Sequence, residues 1–395
     1  MRVVQINVTC GSGSTGKICA GISEKLTRQG IENYILYCVG GSAMPNAVKY
    51  TDSRSIKAAA LEARVKGNWG FEGKASTRRL IKELDRLKPD VVHLHNLHSH
   101  ACRLDLLFDW LKKNKPKVFW TFHDCWGLTG YCMNYEMIGC EKWKSGCSKC
   151  PQRKSFSWLF DRSSYLYNKK KSLVSDLDIT FIAPSKWTCE QIKASFLGGF
   201  PVKVIYNGID LSVFKPTNSD FKKKYSLGEK RVVLGVAIGW GAKKGLDVFI
   251  ELSKRLSDDY RIVLVGTDES VERSLPKQIT AIRKTQDQRE LAQIYTAADV
   301  FLNATREEAL GLTNIEALAC GTPVVTFRSG GSPETVDETC GAVVGKDDIA
   351  QTVREITRIC ETSPFSSNAC MSRARNFDGD DKFTEYTKLY FDSFK

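Results

Sequence analysis

The sequence predicts an α/β protein in which two doubly wound parallel-sheet domains follow one another along the chain. Runs rich in β-branched and aromatic residues alternate with helical stretches of about 10–15 residues, which is the pattern of βαβ units. The alternation lapses at 125–163, resumes, and gives way to a polar connector over 209–230 before a second series begins. A length of 395 residues allows two or three domains of ordinary size.

The elements set the predicted domain boundaries. Strands are predicted at 2–8, 33–39, 90–96, 117–124, 179–185, 202–208, 231–239, 260–266, 298–304 and 322–327. We expect a first domain over 1–208 that carries the irregular insert 125–163, a second domain over 209–375, and a final amphipathic helix within 376–395.

Composition excludes several classes of protein. Apolar residues make up 42% of the chain and charged residues 26%, a balance that excludes disordered and fibrous chains. No apolar run is long enough to span a bilayer, and the first strand leads into a Gly/Ser loop rather than a signal-peptide cleavage site. The 14 cysteines are therefore expected to be reduced thiols.

The excess of positive over negative charge is confined to the first half of the chain. Residues 1–200 hold 31 Lys and Arg against 17 Asp and Glu, whereas residues 201–395 hold 27 against 28. This excess predicts that the first domain faces an anionic partner, such as a membrane surface, a phosphorylated lipid or a nucleic acid. A generally basic surface without a particular partner is the alternative.

The loop GSGSTGK at 11–17 fits two phosphate-binding patterns in part. Its glycines match the GxGxxG dinucleotide fingerprint, but no acidic residue lies between Glu32 and Asp52 to bind a ribose. It also begins like a P-loop, but Ile18 stands where Ser or Thr must hold magnesium. What remains is a glycine-rich turn at a helix N-terminus. The free N–H groups there can bind an anion, or the segment is a tight βα turn without a ligand.

The segment 304–334 carries the most informative pattern. Glu308 and Glu316 flank the start of a predicted helix, whose first N–H groups can bind a phosphate. Glu316 in the first turn can accept hydrogen bonds from a ribose diol, and Glu308 can face a sugar attached to the phosphate. Upstream, Lys243 and Lys244 offer cations to a leaving diphosphate, and such charge stabilisation is often the largest catalytic contribution.

These motifs together resemble those of retaining GT-B glycosyltransferases of family 4. EALGLTNIEALACGTPVV is similar to their E-x7-E signature, and the resemblance extends along nearly the whole chain through GSTGK, TFHD, IAPSKW, VIYNGID, KKGLD and SGGSPE. Bacterial exopolysaccharide and colanic-acid-type transferases in particular share the GSTGK loop and a Cys-rich insert after the His-Asp pair. The resemblance implies two Rossmann-like domains facing a central cleft, with the final helix crossing back to the first domain.

The resemblance implies a role for each residue that matches a family motif. Donor contacts are expected from His123 and Glu308 at the sugar, Lys244 at the diphosphate, Glu316 at the ribose, and Gly311, Leu312, Thr313 and Asn314 in a backbone cradle for the phosphates. The glycine loop is expected at the diphosphate and the acceptor through Gly13, Ser14, Thr15 and Gly16, and the loop from Ile282 to Lys284 at the base. The expected catalytic residues are His123, Lys244 and Glu308.

One departure from the family pattern concerns the second phosphate-binding cation. Many relatives carry an Arg five residues before the matching lysine, whereas position 239 is Gly in this chain. We expect Lys243 to supply that charge instead.

The mechanism that the resemblance implies is front-face substitution with retention. The acceptor hydroxyl would pass its proton to the departing phosphate oxygen, while Lys244 and the helix N-terminus stabilise that phosphate. No cofactor is expected for catalysis. The nucleotide is expected to be UDP in preference to GDP.

All five histidines lie in one stretch of the first half, at positions 93, 95, 98, 100 and 123. Several of them cluster at the carboxyl end of a predicted strand, where the sites of open α/β sheets gather. We expect His95 and His98 to line the acceptor cleft and Asp124 to orient His123. A metal site formed by four of the histidines is the alternative.

Four cysteines of the insert have the spacing C-x7-C-x6-C-x2-C, namely Cys132, Cys140, Cys147 and Cys150. Four reduced thiols within nineteen residues suit a tetrahedral structural zinc ion, and Cys125 can substitute as a ligand. Two disulfides or four free thiols are the alternatives.

The insert also combines basic and aromatic residues. It contains Trp143 and Trp158 together with Lys142, Lys144, Lys149, Arg153 and Lys154. This combination suits a membrane interface, and a solvated loop with buried tryptophans is the alternative.

We therefore predict a cytoplasmic transferase, peripheral on the inner face of the cell membrane. It would move a sugar from a nucleotide sugar to a polyprenyl-diphosphate-linked glycan in capsular or other surface polysaccharide assembly, with no nucleic acid as a partner. One alternative is a zinc-stabilised nucleic-acid-binding protein, which would leave the E-x7-E segment unexplained. Another is a pseudoenzyme that binds a nucleotide sugar without transferring it.

Overall fold

The computed structural model describes residues 1–395 and divides the chain into two compact units. Unit 1 comprises Met1–Tyr206 and Lys382–Lys395, and unit 2 comprises Asn207–Asp381. The sequence placed these divisions at 208 and 375, so unit 2 extends further towards the C-terminus than expected. No helix in the chain combines the length and the apolar character that crossing a membrane requires.

Unit 1 is built on a seven-stranded parallel sheet. Its strands are β1 (Arg2–Asn7), β2 (Glu32–Tyr37), β3 (Ala47–Lys49), β4 (Val91–Leu94), β5 (Lys117–Thr121), β6 (Ile179–Ala183) and β7 (Val202–Val204). They lie in the order β3-β2-β1-β4-β5-β6-β7, so the direction of winding reverses between β1 and β4. Ligands of open α/β sheets bind at the carboxyl ends of the strands beside this reversal.

Helices and buried side chains cover both faces of this sheet. The helices are α1 (Gly13–Arg28), α2 (Ser53–Lys66), α3 (Lys74–Leu87), α4 (Leu104–Asn114), α5 (Arg153–Phe156), α6 (Ser163–Val174) and α7 (Lys186–Lys193). Val3 and Val4 are neighbours on β1 but belong to separate buried clusters, one with Leu26 of α1 and one with Leu84 of α3. Successive side chains of a strand point to opposite faces, so the sheet has a core on each side.

Unit 2 contains a second parallel sheet with the same kind of winding. Its strands are β8 (Arg231–Val236), β9 (Tyr260–Val265), β10 (Ile279–Ile282), β11 (Val300–Asn303), β12 (Val324–Phe327) and β13 (Gly341–Val344), in the order β10-β9-β8-β11-β12-β13. Its helices are α8 (Phe221–Lys224), α9 (Leu246–Arg255), α10 (Glu269–Ser274), α11 (Gln288–Ala297), α12 (Leu312–Ala319), α13 (Ile349–Thr362) and α14 (Ser367–Arg375). The predicted α/β class with two doubly wound sheets is confirmed.

The last helix, α15 (Gly379–Asp392), contributes to the core of unit 1. Its Tyr386 and Tyr390 are fully buried in the cluster that contains Ile22 of α1. Gly21 of α1 leaves room for the ring of Phe383, because a Cβ at Gly21 would collide with that ring. The C-terminal segment is therefore packed into unit 1 through aromatic side chains.

The insert over 125–163, between β5 and α6, has little regular structure. Apart from α5 it contains two short 3-10 turns, Trp126–Leu128 and Lys142–Lys144. The buried Lys170 of α6 fixes its first part: Lys170 Nζ donates to the carbonyl oxygens of Trp126 at 2.7 Å and Thr129 at 3.0 Å. Burial lowers the pKa of this ammonium to about 7. The lysine satisfies carbonyl groups that a helix or sheet would otherwise satisfy.

Candidate active site

The loop between β1 and α1 adopts the backbone conformation that its glycines predict. Gly13 has a φ of +66°, in the left-handed region that favours glycine. A Cβ at Gly16 would lie 2.6 Å from Thr9 Oγ1, so glycine lets α1 start close to the end of β1. Ser14 is exposed and Thr15 half-buried, which leaves the first turn of α1 open to a ligand.

Two histidines and a glutamine form a hydrogen-bonded chain at β1, β4 and β5. His95 Nδ1 lies 3.0 Å from His123 Nε2, and His95 Nε2 lies 3.1 Å from Gln5 Oε1. His95 is only 1% exposed and both of its ring nitrogens are engaged. The ring of His95 therefore has no nitrogen left for an acceptor, and the structure does not support the prediction that His95 lines an acceptor cleft. His123 is half-buried and stays accessible in part.

Asp124 does not orient His123, contrary to expectation. Its carboxylate accepts a hydrogen bond from His98 Nε2 at 2.8 Å and another from the Trp126 backbone N–H at 2.8 Å. Burial lowers the pKa of His98, but the Asp124 carboxylate outweighs this effect and holds that pKa above its ordinary value. The partner of His123 is His95, and His98 forms a half-buried ion pair with Asp124.

The other two histidines have structural partners. His93 Nδ1 lies 2.6 Å from the Tyr390 hydroxyl and His93 Nε2 lies 2.7 Å from Thr121 Oγ1. His100 Nδ1 lies 2.7 Å from the buried carboxylate of Glu72. No three His, Cys, Asp or Glu side chains are arranged to hold a metal ion, so the structure does not support a site formed by four histidines.

Unit 2 brings the predicted catalytic lysine and glutamate together. Lys244 follows β8, Glu308 follows the neighbouring strand β11, and Lys244 Nζ lies 3.1 Å from Glu308 Oε2. Both side chains are about a quarter exposed, at 24% and 25%. Lys243 Nζ lies 3.5 Å from Glu307 Oε2, whose side chain is only 8% exposed. The sequence did not indicate Glu307, which partly neutralises the expected second cation.

The loop that carries Glu308 is held by the glycines after β12. The Gly331 N–H donates to the Glu308 carbonyl oxygen at 3.0 Å. Gly330 has a φ of +52°, and a Cβ there would collide with that same oxygen. Glycine at 330 is therefore needed to keep Glu308 where it is.

Replacing Gly330 by alanine is expected to lower the free energy of unfolding by about 3 kcal/mol, because left-handed strain and a backbone collision act together. The matched control is Gly228→Ala, where φ is +56° and a Cβ meets no atom within 4 Å. Strain alone should cost this control about 1 kcal/mol. Urea denaturation of the two variants measures the difference, and equal losses would show that the collision is relieved without cost.

Helix α12 presents its first turn at the carboxyl edge of the sheet. Gly311 caps it with a φ of +91°, and Leu312 and Thr313 are half-buried. The Asn314 N–H already donates to the Gly311 carbonyl at 3.1 Å, and the buried Asn314 side chain bonds to Asn303 at 2.8 Å. Asn314 therefore stabilises the loop, and a phosphate would meet the N–H groups of Leu312 and Thr313.

Glu316 is fixed by a residue that the sequence did not single out. The hydroxyl of Tyr295, a buried residue of α11, donates to Glu316 Oε2 at 3.0 Å. Burial and the nearby carboxylate raise the pKa of Tyr295, which keeps the hydroxyl a donor at neutral pH. Glu316 is half-buried, and it is the fifth residue of α12, just beyond the first turn in which the sequence placed it.

The predicted base-binding loop lies at the edge of the unit 2 sheet. Ile282 ends β10 and is buried, and its carbonyl accepts the Gly266 N–H at 2.8 Å, whereas Lys284 is exposed. Two strands, β9 and β8, lie between β10 and β11 in the sheet. At about 4.8 Å between neighbouring strands, β10 and β11 are about 14 Å apart across the sheet, and Glu308 is on the loop that follows β11.

The four cysteines of the insert surround one small space. Cys132, Cys140, Cys147 and Cys150 line a cavity of about 20 Å³ together with Tyr135 and Trp143. None of the chain's cysteines is in a disulfide, and the Gly130 N–H donates to Cys147 Sγ at 3.3 Å. Trp143 is buried, whereas Trp158 is 58% exposed, so only the second tryptophan is available to a partner.

Two Rossmann-like units with candidate site residues at the carboxyl ends of their sheets are the architecture of the GT-B fold. Solved structures share this fold over their whole length. The sucrose-phosphate synthase from Thermosynechococcus elongatus has a TM-score of 0.74 and 16% identity, over 100% of this chain and 99% of that one. HepE from Anabaena, solved with UDP and glucose, has a TM-score of 0.70 and 14% identity, over 98% and 99%.

The chain belongs to glycosyltransferase family 4. The model described as Glycosyltransferase Family 4 matches residues 16–213, and the model described as Glycosyl transferases group 1 matches residues 230–362. The colanic acid biosynthesis glycosyl transferase WcaC of Escherichia coli (strain K12) is 24% identical over 99% of both chains. The D-inositol 3-phosphate glycosyltransferase of Mycolicibacterium smegmatis is 27% identical over 44% of this chain and 42% of its own. The predicted family, fold class and transferase activity are confirmed.

Proposed function

We propose that this transferase moves a sugar, with retention of configuration, from a nucleoside diphosphate sugar to a lipid-diphosphate-linked glycan in bacterial surface polysaccharide assembly. The observation that carries the proposal is the Lys244–Glu308 pair beside the first turn of α12. A cation, a carboxylate and backbone N–H donors are the groups that a sugar diphosphate needs, for its phosphates and for its hydroxyls.

The ion pair in unit 2 is suited to exchange partners when a donor binds. Both side chains are partly exposed, and such pairs contribute only about 0–1 kcal/mol. A diphosphate carries more negative charge than one carboxylate and would attract the Lys244 ammonium. Glu308 would then be released to accept hydrogen bonds from the sugar hydroxyls.

The proposed reaction is a substitution at the anomeric carbon. The acceptor oxygen bonds to that carbon on the face from which the diphosphate leaves, and the bond between the carbon and the phosphate oxygen breaks. The acceptor proton passes to the departing phosphate oxygen. Lys244 and the N–H groups of Leu312 and Thr313 stabilise the charge on the leaving diphosphate.

Donor and acceptor are assigned by analogy with relatives. HepE was solved with UDP and glucose, and by analogy we propose UDP as the nucleotide carrier. The name of WcaC refers to colanic acid biosynthesis, and this supports a glycan acceptor of an exopolysaccharide pathway. In this proposal unit 2 binds the donor, and unit 1 binds the acceptor through the glycine loop and His98.

A thermal-shift panel of nucleotide sugars, followed by a transfer assay with the stabilising donor, tests the proposal. A donor at about 100 times its Kd should stabilise the protein by about 2.7 kcal/mol, and that donor should be consumed when lipid-linked glycan is added. Stabilisation without turnover would indicate a pseudoenzyme. Binding to DNA that weakens steeply with salt, without any response to nucleotide sugars, would overturn the proposal.

We also propose that unit 1 docks on an anionic membrane through an exposed apolar patch. The patch consists of Leu61, Val65, Trp158, Leu159 and Phe160, which are 38–60% exposed. Its two segments are adjacent, because the Trp158 N–H donates to the Arg64 carbonyl at 2.8 Å. Arg64, Lys154 and Arg162 are exposed cations of the same two segments, and the Arg162 guanidinium lies 5.9 Å from the centre of the Phe160 ring. Apolar side chains with basic neighbours suit the interface of a bilayer that contains anionic lipid.

Replacing Trp158, Leu159 and Phe160 by serine together is expected to weaken binding to phosphatidylglycerol-rich vesicles at least about tenfold, because the apolar anchor is lost. The control is Ile238→Ser, which removes an apolar side chain of unit 2 that is 90% exposed. Vesicle flotation measures the binding. The membrane proposal fails if the wild type does not float, or if both variants float equally well.

We further propose that the four cysteines of the insert hold a structural zinc ion. They line one cavity, and the N–H donated to Cys147 Sγ would stabilise a thiolate. The thiols are not gathered into a ready ligand set, so they would have to turn towards the cavity centre. A bound zinc would stabilise a segment that has little secondary structure.

Elemental analysis of the purified protein is expected to find one zinc per chain. The double variant Cys147→Ser/Cys150→Ser should lose the metal and melt at a lower temperature, because two of four ligands are removed. The control Cys320→Ser/Cys360→Ser changes two thiols of unit 2 outside the insert and should keep the metal. Metal-free wild-type protein whose melting temperature does not respond to added zinc would contradict the proposal.

A further inference from the structure

The hydrogen-bonded chain in unit 1 begins at Gln5, whose amide has only one satisfactory orientation. Gln5 Nε2 lies 3.0 Å from the Cys19 carbonyl oxygen of α1, and Gln5 Oε1 lies 3.1 Å from His95 Nε2. A carbonyl oxygen can only accept a hydrogen bond, so the amide nitrogen must face Cys19. The amide oxygen must then face His95, and His95 Nε2 must carry a proton.

The protonation of His95 determines that of His123. Burial, followed by the nearby rings of His93 and His123, holds the pKa of His95 well below its ordinary value, so the ring is neutral. A neutral imidazole has one proton, and in His95 it is on Nε2. His95 Nδ1 is therefore an acceptor, and the hydrogen bond of 3.0 Å between the two rings must be donated by His123 Nε2.

The other ring nitrogen of His123, Nδ1, is left with a lone pair that has no hydrogen-bond partner. Burial is the main influence on its ring and lowers its pKa to about 4, despite the opposing effect of Asp124. The ring is neutral at pH 7, and its single proton is on Nε2. His123 Nδ1 is buried and has no hydrogen-bond partner in the structure. A buried acceptor without a partner costs stability, so its presence indicates a ligand group that satisfies it.

The family resemblance already implies that His123 meets a sugar. We propose that Gln5 and His95 are positioning residues that hold His123 in the Nε2–H tautomer, so that Nδ1 is the atom that accepts a hydrogen bond from a sugar hydroxyl. This inference rests on the proposed function of the chain. A hydroxyl donates a hydrogen bond, as the lone pair requires, whereas an ionised phosphate oxygen cannot. The chain therefore directs a sugar, rather than a diphosphate, to this face of unit 1.

The tautomer can be observed in the protein without any substrate. Long-range 1H–15N spectra of protein labelled at histidine should show His123 with a protonated Nε2 and a bare Nδ1, assigned by the loss of its signals in His123→Asn. In His95→Leu the acceptor for His123 Nε2–H is lost, and the Nδ1–H tautomer should gain population. A protonated Nδ1 in the wild type at neutral pH would overturn the inference, whether or not the chain transfers a sugar.

The source of the hydroxyl is distinguished by adding substrates separately. If the donor sugar supplies it, the stabilising nucleotide sugar should shift the His123 Nδ1 signal and the nucleoside diphosphate alone should not. If the acceptor supplies it, the lipid-linked glycan should shift the signal instead. If the protein is catalytically active and neither substrate shifts the His123 Nδ1 signal, the proposal that a sugar hydroxyl binds this nitrogen is overturned.

Kinetics separate a positioning role from a structural one. His95→Leu is expected to lower kcat/KM about tenfold, the effect of one hydrogen bond, and His95→Gln should recover part of it because its amide oxygen can accept from His123. Tyr390→Phe is the matched control, since it removes a buried hydrogen bond to His93, two residues before His95. A loss of rate in Tyr390→Phe equal to that in His95→Leu would show that both act only through folding.

Discussion

Replacing Lys244 by alanine is expected to lower kcat about 100-fold. The variant lacks one preorganised cation at the leaving group, and such a loss raises the activation free energy by about 3 kcal/mol. Lys244 is the predicted diphosphate cation, and it lies 3.1 Å from a carboxylate that it would exchange for phosphate. The loss should appear mainly in kcat, because negative charge on the leaving oxygen develops in the transition state. Steady-state kinetics with the preferred nucleotide sugar measure it.

Lys243→Ala is the control for this prediction, since it removes the neighbouring ammonium. Lys243 Nζ lies 3.5 Å from a buried Glu307 carboxylate, so the variant should lose more stability than turnover. Equal losses of kcat in the two variants would show that both ammonium groups act on the diphosphate. A Lys244 variant with wild-type turnover would remove the central cation from the mechanism.

Replacing Glu308 by glutamine is expected to lower turnover about 100-fold while nucleotide binding is retained. The carboxylate is predicted to face the donor sugar, so its loss affects the reacting part of the substrate. The substitution also frees Lys244 from its ion pair, and a nucleoside diphosphate should bind at least as tightly as to the wild type. Transfer kinetics and calorimetric titration with UDP measure the two effects separately.

Glu316→Gln is the matched comparison, because the sequence predicts Glu316 at the ribose rather than at the sugar. Its carboxylate is held by the Tyr295 hydroxyl at 3.0 Å. This variant should lose nucleotide affinity, by about fivefold for one weakened hydrogen bond, and keep more of its turnover at saturation. If Glu308→Gln weakens UDP binding as much as it lowers turnover, the proposal that Glu308 contacts the donor sugar is contradicted.

The central strands of both sheets could be predicted from sequence, whereas three short strands could not. β3, β10 and β13 lie at sheet edges and are only three or four residues long. Edge strands are covered less completely than central ones, so their side chains need not be continuously apolar. Ala47–Lys49 of β3 has no fully buried residue, and such a run carries no strand signal.

Family motifs indicated the individual site residues, but not the contacts that hold them. Gln5 and His95 are 90 positions apart in the chain and meet because β1 and β4 are neighbours. The collision that requires glycine at 330 involves the Glu308 carbonyl on another loop. Such contacts follow from strand order, which local periodicity does not reveal. The partner of Asp124 was mistaken for the same reason, because adjacency in sequence suggested His123.

Calorimetric titration of the wild type and of Lys244→Ala with UDP and with UMP tests the central claim most directly, that Lys244 and the first turn of α12 bind the second phosphate of the donor. The wild type is expected to bind UDP at least about tenfold more tightly than UMP, the effect of one charge-assisted contact. In Lys244→Ala most of that difference should disappear while the affinity for UMP is unchanged. Equal affinities for UDP and UMP in the wild type, or a preference for UDP that survives the substitution, would contradict the account.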